Sequence, residues 1–206
     1  MLVDLVKSSV GASVGAGDTP SSVTSKIDTP SILDLGTGSG CIAISIALLS
    51  SQHQVTAVDA SIDALKVAIA NAKQLKANVE FILSDWYSEV KGRRFNIIVS
   101  NPPYIAVDDA HLQQGDLRFE PSQALSSGQS GLTALQNIIE AAPRYLHPQG
   151  MLAVEHGYDQ AGAVRDLFAR SGFCDIAQHP DLAGIVRVSC GRLPAVPMTT
   201  PNATVR

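Results

Sequence analysis

The stretch Ser31–Leu49 constrains the fold of this chain more than any other part of the sequence. It begins with a short apolar run, continues through glycines at alternate positions, Gly36, Gly38 and Gly40, and ends in the mostly apolar segment Cys41–Leu49. A strand, a glycine turn and a helix in this order open a doubly wound α/β fold. Glycine lets the backbone adopt positive φ and approach a ligand closely. The free N–H groups at the start of the helix face the same space.

The spacing of the glycines indicates what kind of ligand the turn accepts. The pattern is G-x-G-x-G with Asp34 two residues before Gly36, whereas dinucleotide-binding folds carry G-x-G-x-x-G. Asp34 repels a pyrophosphate but attracts an ammonium or sulfonium group. The turn, which includes Thr37 and Ser39, resembles motif I of the class I S-adenosyl-L-methionine (SAM) methyltransferases. A tight strand-to-helix connection that binds nothing is the alternative.

Composition and charge exclude several classes of protein. With 206 residues, of which 45% are apolar, the chain has the size of one α/β domain with a full core. The net charge of −4 does not suit a protein that grips phosphate backbones, so we expect no direct nucleic-acid contact. The sequence has no long apolar run and no signal-peptide pattern, which predicts a cytoplasmic protein without membrane contact. The spacing of Cys41, Cys174 and Cys190 fits neither a metal site nor a disulfide framework, so we expect no metal.

Further candidate ligand residues follow the second and third predicted strands. Asp59 lies nineteen residues after Gly40, where this fold places a carboxylate on ribose hydroxyls. A charge at the start of the next helix is the alternative explanation for Asp59. Asp85 is positioned to accept a hydrogen bond from an adenine amino group, and Trp86 to pack on the adenine ring. Ordinary core packing is the alternative for Trp86.

The most specific signal is Asn101-Pro102-Pro103-Tyr104, directly after a predicted strand. The two prolines stop the strand because neither offers an N–H. They also stiffen the loop, which holds Asn101 and Tyr104 with little conformational freedom. A plain strand terminator explains the prolines but not the polar and aromatic residues that flank them. Asn101 and Tyr104 are therefore candidate substrate-binding residues.

The chain is predicted to divide into three parts. Residues 1–30 comprise a helical remnant, Met1–Lys7, and a flexible linker rich in Ser and Gly, Ser8–Pro30. Residues 31–192 form the α/β domain, and residues 193–206, which include three prolines, form a disordered tail. Within the domain, Ile105–Gly131 is too long for a plain connection and is predicted to be a lid or substrate loop.

Hydrophobic periodicity predicts the other helices and strands. Pro143 should end or kink the helix that begins near Leu132. The short link between Phe173–Gln178 and Ile185–Cys190 predicts an antiparallel pair of strands. The remaining predicted strands are Ile32–Leu35, Val55–Asp59, Val79–Leu83, Phe95–Ser100 and Gly150–Glu155. One predicted helix is capped by Ser61 and has apolar positions at Ile62, Leu65, Ile69, Ala72 and Leu75. Another contains Val164, Leu167 and Phe168 and is closed by Gly172.

Longer stretches of the sequence resemble one enzyme family. They are D-L-G-T-G-S-G-C-I-A-I-S, S-D-W-Y, I-V-S-N-P-P-Y-I, H-L-Q-Q-G-D-L-R-F-E-P-x-x-A-L and E-H-G. Together they are similar to the peptide chain release factor glutamine N5-methyltransferase family (HemK/PrmC type) from about Ser31 to Arg192. The resemblance implies a Rossmann-like sheet of seven strands in the order 3-2-1-4-5-7-6, mostly parallel, with an antiparallel last strand and helices on both faces.

The resemblance also implies an activity. SAM would donate a methyl group to the glutamine nitrogen in the Gly-Gly-Gln loop of a release factor and leave as S-adenosyl-L-homocysteine. The glutamine amide would meet Asn101, Pro102, Pro103 and Tyr104. SAM would meet Asp34, Gly36, Thr37, Gly38, Ser39, Gly40, Asp59, Asp85, Trp86 and Asn101. We expect the chain to act as a monomer.

Two departures from the family pattern bear on this expectation. The family usually carries a helical N-terminal domain, which we expect this chain to lack, and that puts docking of the release factor in question. Near the end, Gly184-Ile185-Val186-Arg187-Val188 stands where the family tends to have G-N-D-R-V. The alternatives to the implied activity are a glutamine methyltransferase acting on a ribosomal protein, a DNA adenine methyltransferase and a non-catalytic SAM-binding module.

Overall fold

The computed structural model describes residues 1–12, 29–103 and 132–195, and these form a single sheet flanked by helices. The strands are β1 (Ser31–Leu35), β2 (Gln54–Asp59), β3 (Val79–Leu83), β4 (Phe95–Ser100), β5 (Leu146–Glu155), β6 (Cys174–Pro180) and β7 (Val186–Arg192). The helices are α1 (Leu2–Ala12), α2 (Cys41–Leu49), α3 (Ile62–Leu75), α4 (Thr133–Ala141) and α5 (Ala161–Arg170), with a 3-10 turn at Ala142–Arg144.

The sheet has the order β3-β2-β1-β4-β5-β7-β6, which confirms the order implied by the family resemblance. β1 to β5 pair in parallel, and β7 runs antiparallel to both β5 and β6. The predicted antiparallel pair is therefore confirmed, and the apolar substitutions at Ile185 and Val186 do not remove the last strand from the sheet. The fold is that of a class I SAM-dependent methyltransferase.

Alternation along the strands divides the core into two layers. In β1, Leu33 and Leu35 join the layer that packs under α4 and α5, whereas Ile32 joins the layer under α1 and α2. The central strands are buried on both faces, as parallel strands covered by helices should be. The same alternation turns Asp34 toward the α2 side of the sheet.

The first helix is longer than the sequence predicted. It runs to Ala12, five residues past the expected end at Lys7, and therefore includes the first residues of the predicted linker. Ser8 is tolerated inside the helix because its hydroxyl donates to Leu5 O at 3.0 Å. Leu2 and Val6 are buried in the α2 layer of the core. The rest of the predicted linker, residues 13–28, lies outside the described residues.

The other strand boundaries agree with the predictions to within two residues, except at the start of β5. Ser61 caps α3 through a hydrogen bond from Ala64 N, and the α-helix that precedes Pro143 ends at Ala141 in a 3-10 turn. β5 begins at Leu146 rather than Gly150. The buried positions of α3 are Leu65, Ala68 and Ala72, whereas Ile62, Ile69 and Leu75 are about half exposed, so the predicted apolar face was drawn too wide.

Two predicted segments fall largely on parts of the chain that are not described. These are the loop Ile105–Gly131 and the tail, of which only residues 193–195 are described. Among the described helices, none is both long and apolar enough to cross a membrane.

Candidate active site

The glycine turn after β1 has the backbone that the sequence predicted. Gly36, Gly38 and Gly40 all adopt positive φ, at 69°, 57° and 84°. A Cβ at Gly40 would lie 2.9 Å from Ile44 Cδ1 and 3.0 Å from Ala68 Cβ, so Gly40 permits close packing of α2 on α3. A Cβ at Gly38 would meet no described atom within 4 Å. Gly38 is therefore the position where the backbone faces open space and a ligand can approach.

Asp34 lies beneath this turn and is fully buried. Its Oδ2 accepts hydrogen bonds from Thr37 Oγ1 at 2.7 Å and from Ala43 N at 3.2 Å. Among the described residues, Oδ1 has no hydrogen-bond partner. Burial is the main reason that the pKa of this carboxyl rises from 3.8 to about 6. The two hydrogen bonds lower the pKa in part, and repulsion from Asp59 raises it slightly. A buried carboxylate with one unsatisfied oxygen suits a site that receives a cation.

Asp59, at the end of β2, connects the second strand to the glycine turn. Its Oδ2 accepts from Gly38 N at 2.8 Å and its Oδ1 from Ser61 N at 2.8 Å. The carboxylate therefore holds the turn and also orders the start of α3, as the alternative explanation proposed. A carboxylate offers about four acceptor positions, so about two remain for other donors such as ribose hydroxyls.

Trp86 follows β3 and lies beside the glycine turn. A Cβ at Gly36 would lie 3.4 Å from Trp86 Cζ3, and the half-buried ring also packs against the core layer under α4 and α5. Trp86 thus packs against the core and also lies beside the glycine turn. Asp85 is exposed and borders a cleft of about 380 Å³ between the ends of β2 and β3. The cleft is lined by Ala60, Ile82, Leu83, Ser84, Asp85, Ser88 and Glu89.

The Asn-Pro-Pro segment leaves the sheet at the end of β4, directly beside β1. Ser100 Oγ donates to Leu35 O at 2.8 Å, and this buried bond ties the end of β4 to the start of the glycine turn. The next residue, Asn101, is exposed, whereas Pro102 is buried and Pro103 half-buried. The amide of Asn101 is therefore available to a ligand, and the backbone that carries it is anchored.

The structure places most predicted site residues on the carboxyl ends of four neighbouring strands. They are Asp34, Gly36, Thr37, Gly38, Ser39, Gly40, Asp59, Asp85, Trp86, Asn101, Pro102 and Pro103. Tyr104, the last member of the predicted set, lies outside the described residues. Within the described ranges, no group of three or more His, Cys, Asp or Glu side chains could hold a metal ion.

Sequence reasoning missed several residues that shape the site. Asn71 of α3 donates from Nδ2 to Ser39 O at 2.9 Å and so fixes the outer part of the glycine turn. Ser84 donates to Trp86 O at 2.9 Å and accepts from Glu89 N at 3.1 Å, which closes the turn after β3. A serine directly after a predicted strand is a recognisable turn signal. No local signal identifies Asn71, because its partner lies thirty-two residues away.

The comparisons with known proteins agree with this geometry. A family model described as "Methyltransferase small domain" matches residues 21–120. The release factor glutamine methyltransferase of Bordetella pertussis is 52% identical over 165 residues, which cover 80% of this chain and 61% of that protein. Over this stretch the chain is similar to release factor glutamine methyltransferases. It spans about three fifths of the length of the curated relatives that it matches.

Solved structures agree with this likeness and with the fold. The protein-(glutamine-N5) methyltransferase (release factor-specific) of Alicyclobacillus acidocaldarius matches with a TM-score of 0.53 at 27% identity, over 94% of this chain and 90% of that one. A methyltransferase from Pyrococcus furiosus matches with a TM-score of 0.61 over 80% of this chain and 75% of that one. At 18% identity, the second likeness shows the fold alone.

Proposed function

We propose that this chain transfers a methyl group from SAM to the side-chain N5 of the glutamine in the Gly-Gly-Gln motif of a peptide chain release factor. The observation that carries the proposal is the bond from Ser100 Oγ to Leu35 O, which joins the Asn101 segment to the glycine turn. A cofactor turn and an amide-binding segment on adjacent strands are what transfer between two bound molecules needs. The names of the relatives support glutamine as the acceptor.

The residues at the edge of the sheet fit SAM. Asp59 would accept from the ribose hydroxyls with its remaining lone pairs, and Gly38 would allow close backbone approach. The cleft beside Asp85 would take the adenine. Trp86, whose ring lies beside Gly36, would pack on the adenine ring. Asp34, with its unsatisfied buried oxygen, would favour the positive charges of the methionine portion. When bound, SAM supplies an electrophilic methyl group on a positively charged sulfur.

The acceptor half of the site must activate a poor nucleophile, because the amide lone pair is delocalised into the carbonyl. We propose that Asn101 Oδ1 and the backbone carbonyl of Pro102 each accept one N–H of the glutamine amide. Two acceptors fix the direction of the nitrogen and stabilise the positive charge that grows on it during transfer. As the new N–C bond formed, the C–S bond of SAM would break, S-adenosyl-L-homocysteine would leave, and the nitrogen would release one of its protons to water.

Positioning is the main contribution of this geometry to the rate. Holding the two reactants in line can lower a barrier by roughly 7–11 kcal/mol in favourable cases. Pro103 stiffens the segment, and Tyr104 is proposed to pack on the plane of the amide, as the family resemblance implies. We further propose that the chain acts as a monomer in the cytoplasm, where release factors are encountered.

Parallel methylation assays test the proposal. The chain is incubated with SAM that carries a labelled methyl group and is offered a release factor, a Gly-Gly-Gln peptide, a ribosomal protein and DNA. We expect label on the release factor and on the peptide, and mass spectrometry should place one methyl group on the glutamine. A peptide with Ala in place of that glutamine is the control and should take no label.

Other outcomes of the same assay would replace the proposal. Label only on the ribosomal protein or only on DNA would assign a different substrate. SAM binding without label on any substrate would indicate a non-catalytic module.

A further inference from the structure

A buried polar cluster lies at the carboxyl end of β5, next to the Asn101 segment but separate from the cofactor turn. His156 is fully buried, and its Nδ1 lies 2.9 Å from Gly157 O while its Nε2 lies 2.9 Å from Ser189 Oγ. Gln178 Nε2 lies 3.1 Å from the same Ser189 oxygen and 2.7 Å from Ala161 O. The cluster therefore joins β5, β6, β7 and α5 at one point.

The chemistry of the partners fixes the direction of every hydrogen bond in this cluster. Gly157 O can only accept, so His156 Nδ1 carries the proton and Nε2 is an acceptor. Ser189 must then donate to Nε2, and its oxygen accepts from Gln178. Burial lowers the pKa of His156 and so favours the neutral ring; the hydrogen bond to Gly157 opposes this shift, and the positive charge of Arg187 adds to it. These four hydrogen bonds can therefore form together in one arrangement of protons only.

The sheet register brings this cluster to the acceptor segment. Ser100 of β4 is paired with Val154 of β5, and both strands run in the same direction. Pro102 lies two residues after Ser100, and His156 lies two residues after Val154, so both lie where their strands leave the sheet. The main chain of His156 is also anchored, because its N–H donates to Arg187 O at 2.9 Å. The register therefore places the turn after β5 beside the buried Pro102.

We propose that His156 is a positioning residue for methyl transfer, and that its bridge to Ser189 holds the turn after β5 against the Asn101-Pro102 segment. This inference rests on the function proposed above. His156 does not touch the substrate in this scheme. It keeps the two amide acceptors aligned, and a misplacement of about 1 Å can lower a rate by on the order of 100-fold.

Two substitutions of His156 separate its nitrogens. In His156→Asn, the amide nitrogen can replace Nδ1 and donate to Gly157 O, but nothing reaches Ser189. In His156→Gln, the amide oxygen reaches the place of Nε2 and accepts from Ser189. We expect His156→Asn to lower kcat for a Gly-Gly-Gln peptide by about ten-fold or more with SAM affinity unchanged, and His156→Gln to recover most of that loss. Ser189→Ala should resemble His156→Asn.

His53 provides a matched control. It is also a buried histidine, and its Nδ1 lies 3.0 Å from a backbone carbonyl, Ile46 O. It directly precedes β2 and so lies at the amino ends of the parallel strands, away from the candidate site. His53→Asn should lower the thermal stability without lowering kcat of the folded protein. If His156→Asn does the same, the role of His156 is only structural and the inference is wrong.

Hydrogen–deuterium exchange gives a readout that does not depend on the reaction. His156→Asn and Ser189→Ala should accelerate exchange in the segment that ends at Asn101, whereas His53→Asn should not. If the unmodified chain transfers no methyl group to any substrate, the proposed function fails, and the exchange result still decides whether His156 positions this segment. Unchanged exchange at Asn101 in both variants would overturn the inference.

Discussion

The buried carboxyl of Asp34 should make the protein less stable at neutral pH than the same fold with a neutral side chain there. Its pKa rises from 3.8 to about 6 because burial disfavours the charged form. The folded state therefore binds this proton more tightly than the unfolded state does. By linkage, the contribution of Asp34 to stability is most favourable below pH 3.8 and falls as the pH rises through about 6.

The magnitude follows from the two pKa values. A difference of about two pH units corresponds to about 3 kcal/mol of unfolding free energy. Asp34→Asn abolishes this titration, and its carbonyl oxygen can still accept from Thr37 and Ala43. The new amide N–H groups add a penalty of roughly 1–3 kcal/mol if they stay unpaired, but that penalty does not vary with pH. The variant should therefore gain about 3 kcal/mol relative to the parent between pH 3.5 and pH 8.

Urea unfolding at a series of pH values measures this change directly. The quantity to plot is the unfolding free energy of Asp34→Asn minus that of the parent, each extrapolated to water. We expect a curve that is flat above pH 7 and declines through the range between 6 and 3.8. The variant should also bind SAM more weakly at pH 8, since it lacks the negative charge. A difference that stays constant with pH would show that Asp34 is not a destabilised carboxylate, and the electrostatic argument for its role would fail.

Three further predictions concern the site. Asp59→Ala should weaken SAM binding by about 1.5–3 kcal/mol, the range for hydrogen bonds to a charged group, and calorimetry that finds unchanged affinity in a folded variant would remove Asp59 from the site. Gly40→Ala should destabilise the fold by about 1–3 kcal/mol in urea unfolding, because the new Cβ would clash with α3. Gly38→Ala should cost less stability and should weaken SAM binding instead. Equal losses of stability in the two variants would contradict the packing role of Gly40. Asn101→Ala should raise the activation free energy of transfer by roughly 2.7–4 kcal/mol, and so lower kcat, with SAM affinity unchanged. Transfer to the peptide at the parent rate would refute the proposed role of Asn101 in holding the glutamine amide.

Much of this fold could be predicted because local and long-range signals agree. Two apolar runs have the predicted bounds because a strong local signal marks one end of each. The strand Phe95–Ser100 is followed closely by two prolines, and the helix Cys41–Leu49 is preceded directly by Gly40. The first helix was predicted too short because its serines suggested a linker, and the contacts that favour the helix come from distant residues such as Met151. Tertiary packing overrode local composition there.

The site was predictable in outline but not in its internal connections. Glycine spacing and the residues at strand ends predict Asp34, Asp59 and Asn101 as site residues, and the structure brings them to the ends of neighbouring strands. The sequence could not show that the carboxylate of Asp59 accepts a hydrogen bond from Gly38 N. Nor could it show that the hydroxyl of Ser100 donates to Leu35 O. Such bonds depend on which strands become neighbours, and the crossover from β1 to β4 is a property of the topology rather than of any segment.

The hydroxyl bond between β4 and β1 has a consequence for the geometry of the proposed transfer. Strand ends that share a ladder and a buried side-chain bond are displaced together, so thermal motion changes their separation less than it changes the position of either loop. In the proposed reaction, the distance over which the methyl group moves would then be set by the pairing of β1 with β4.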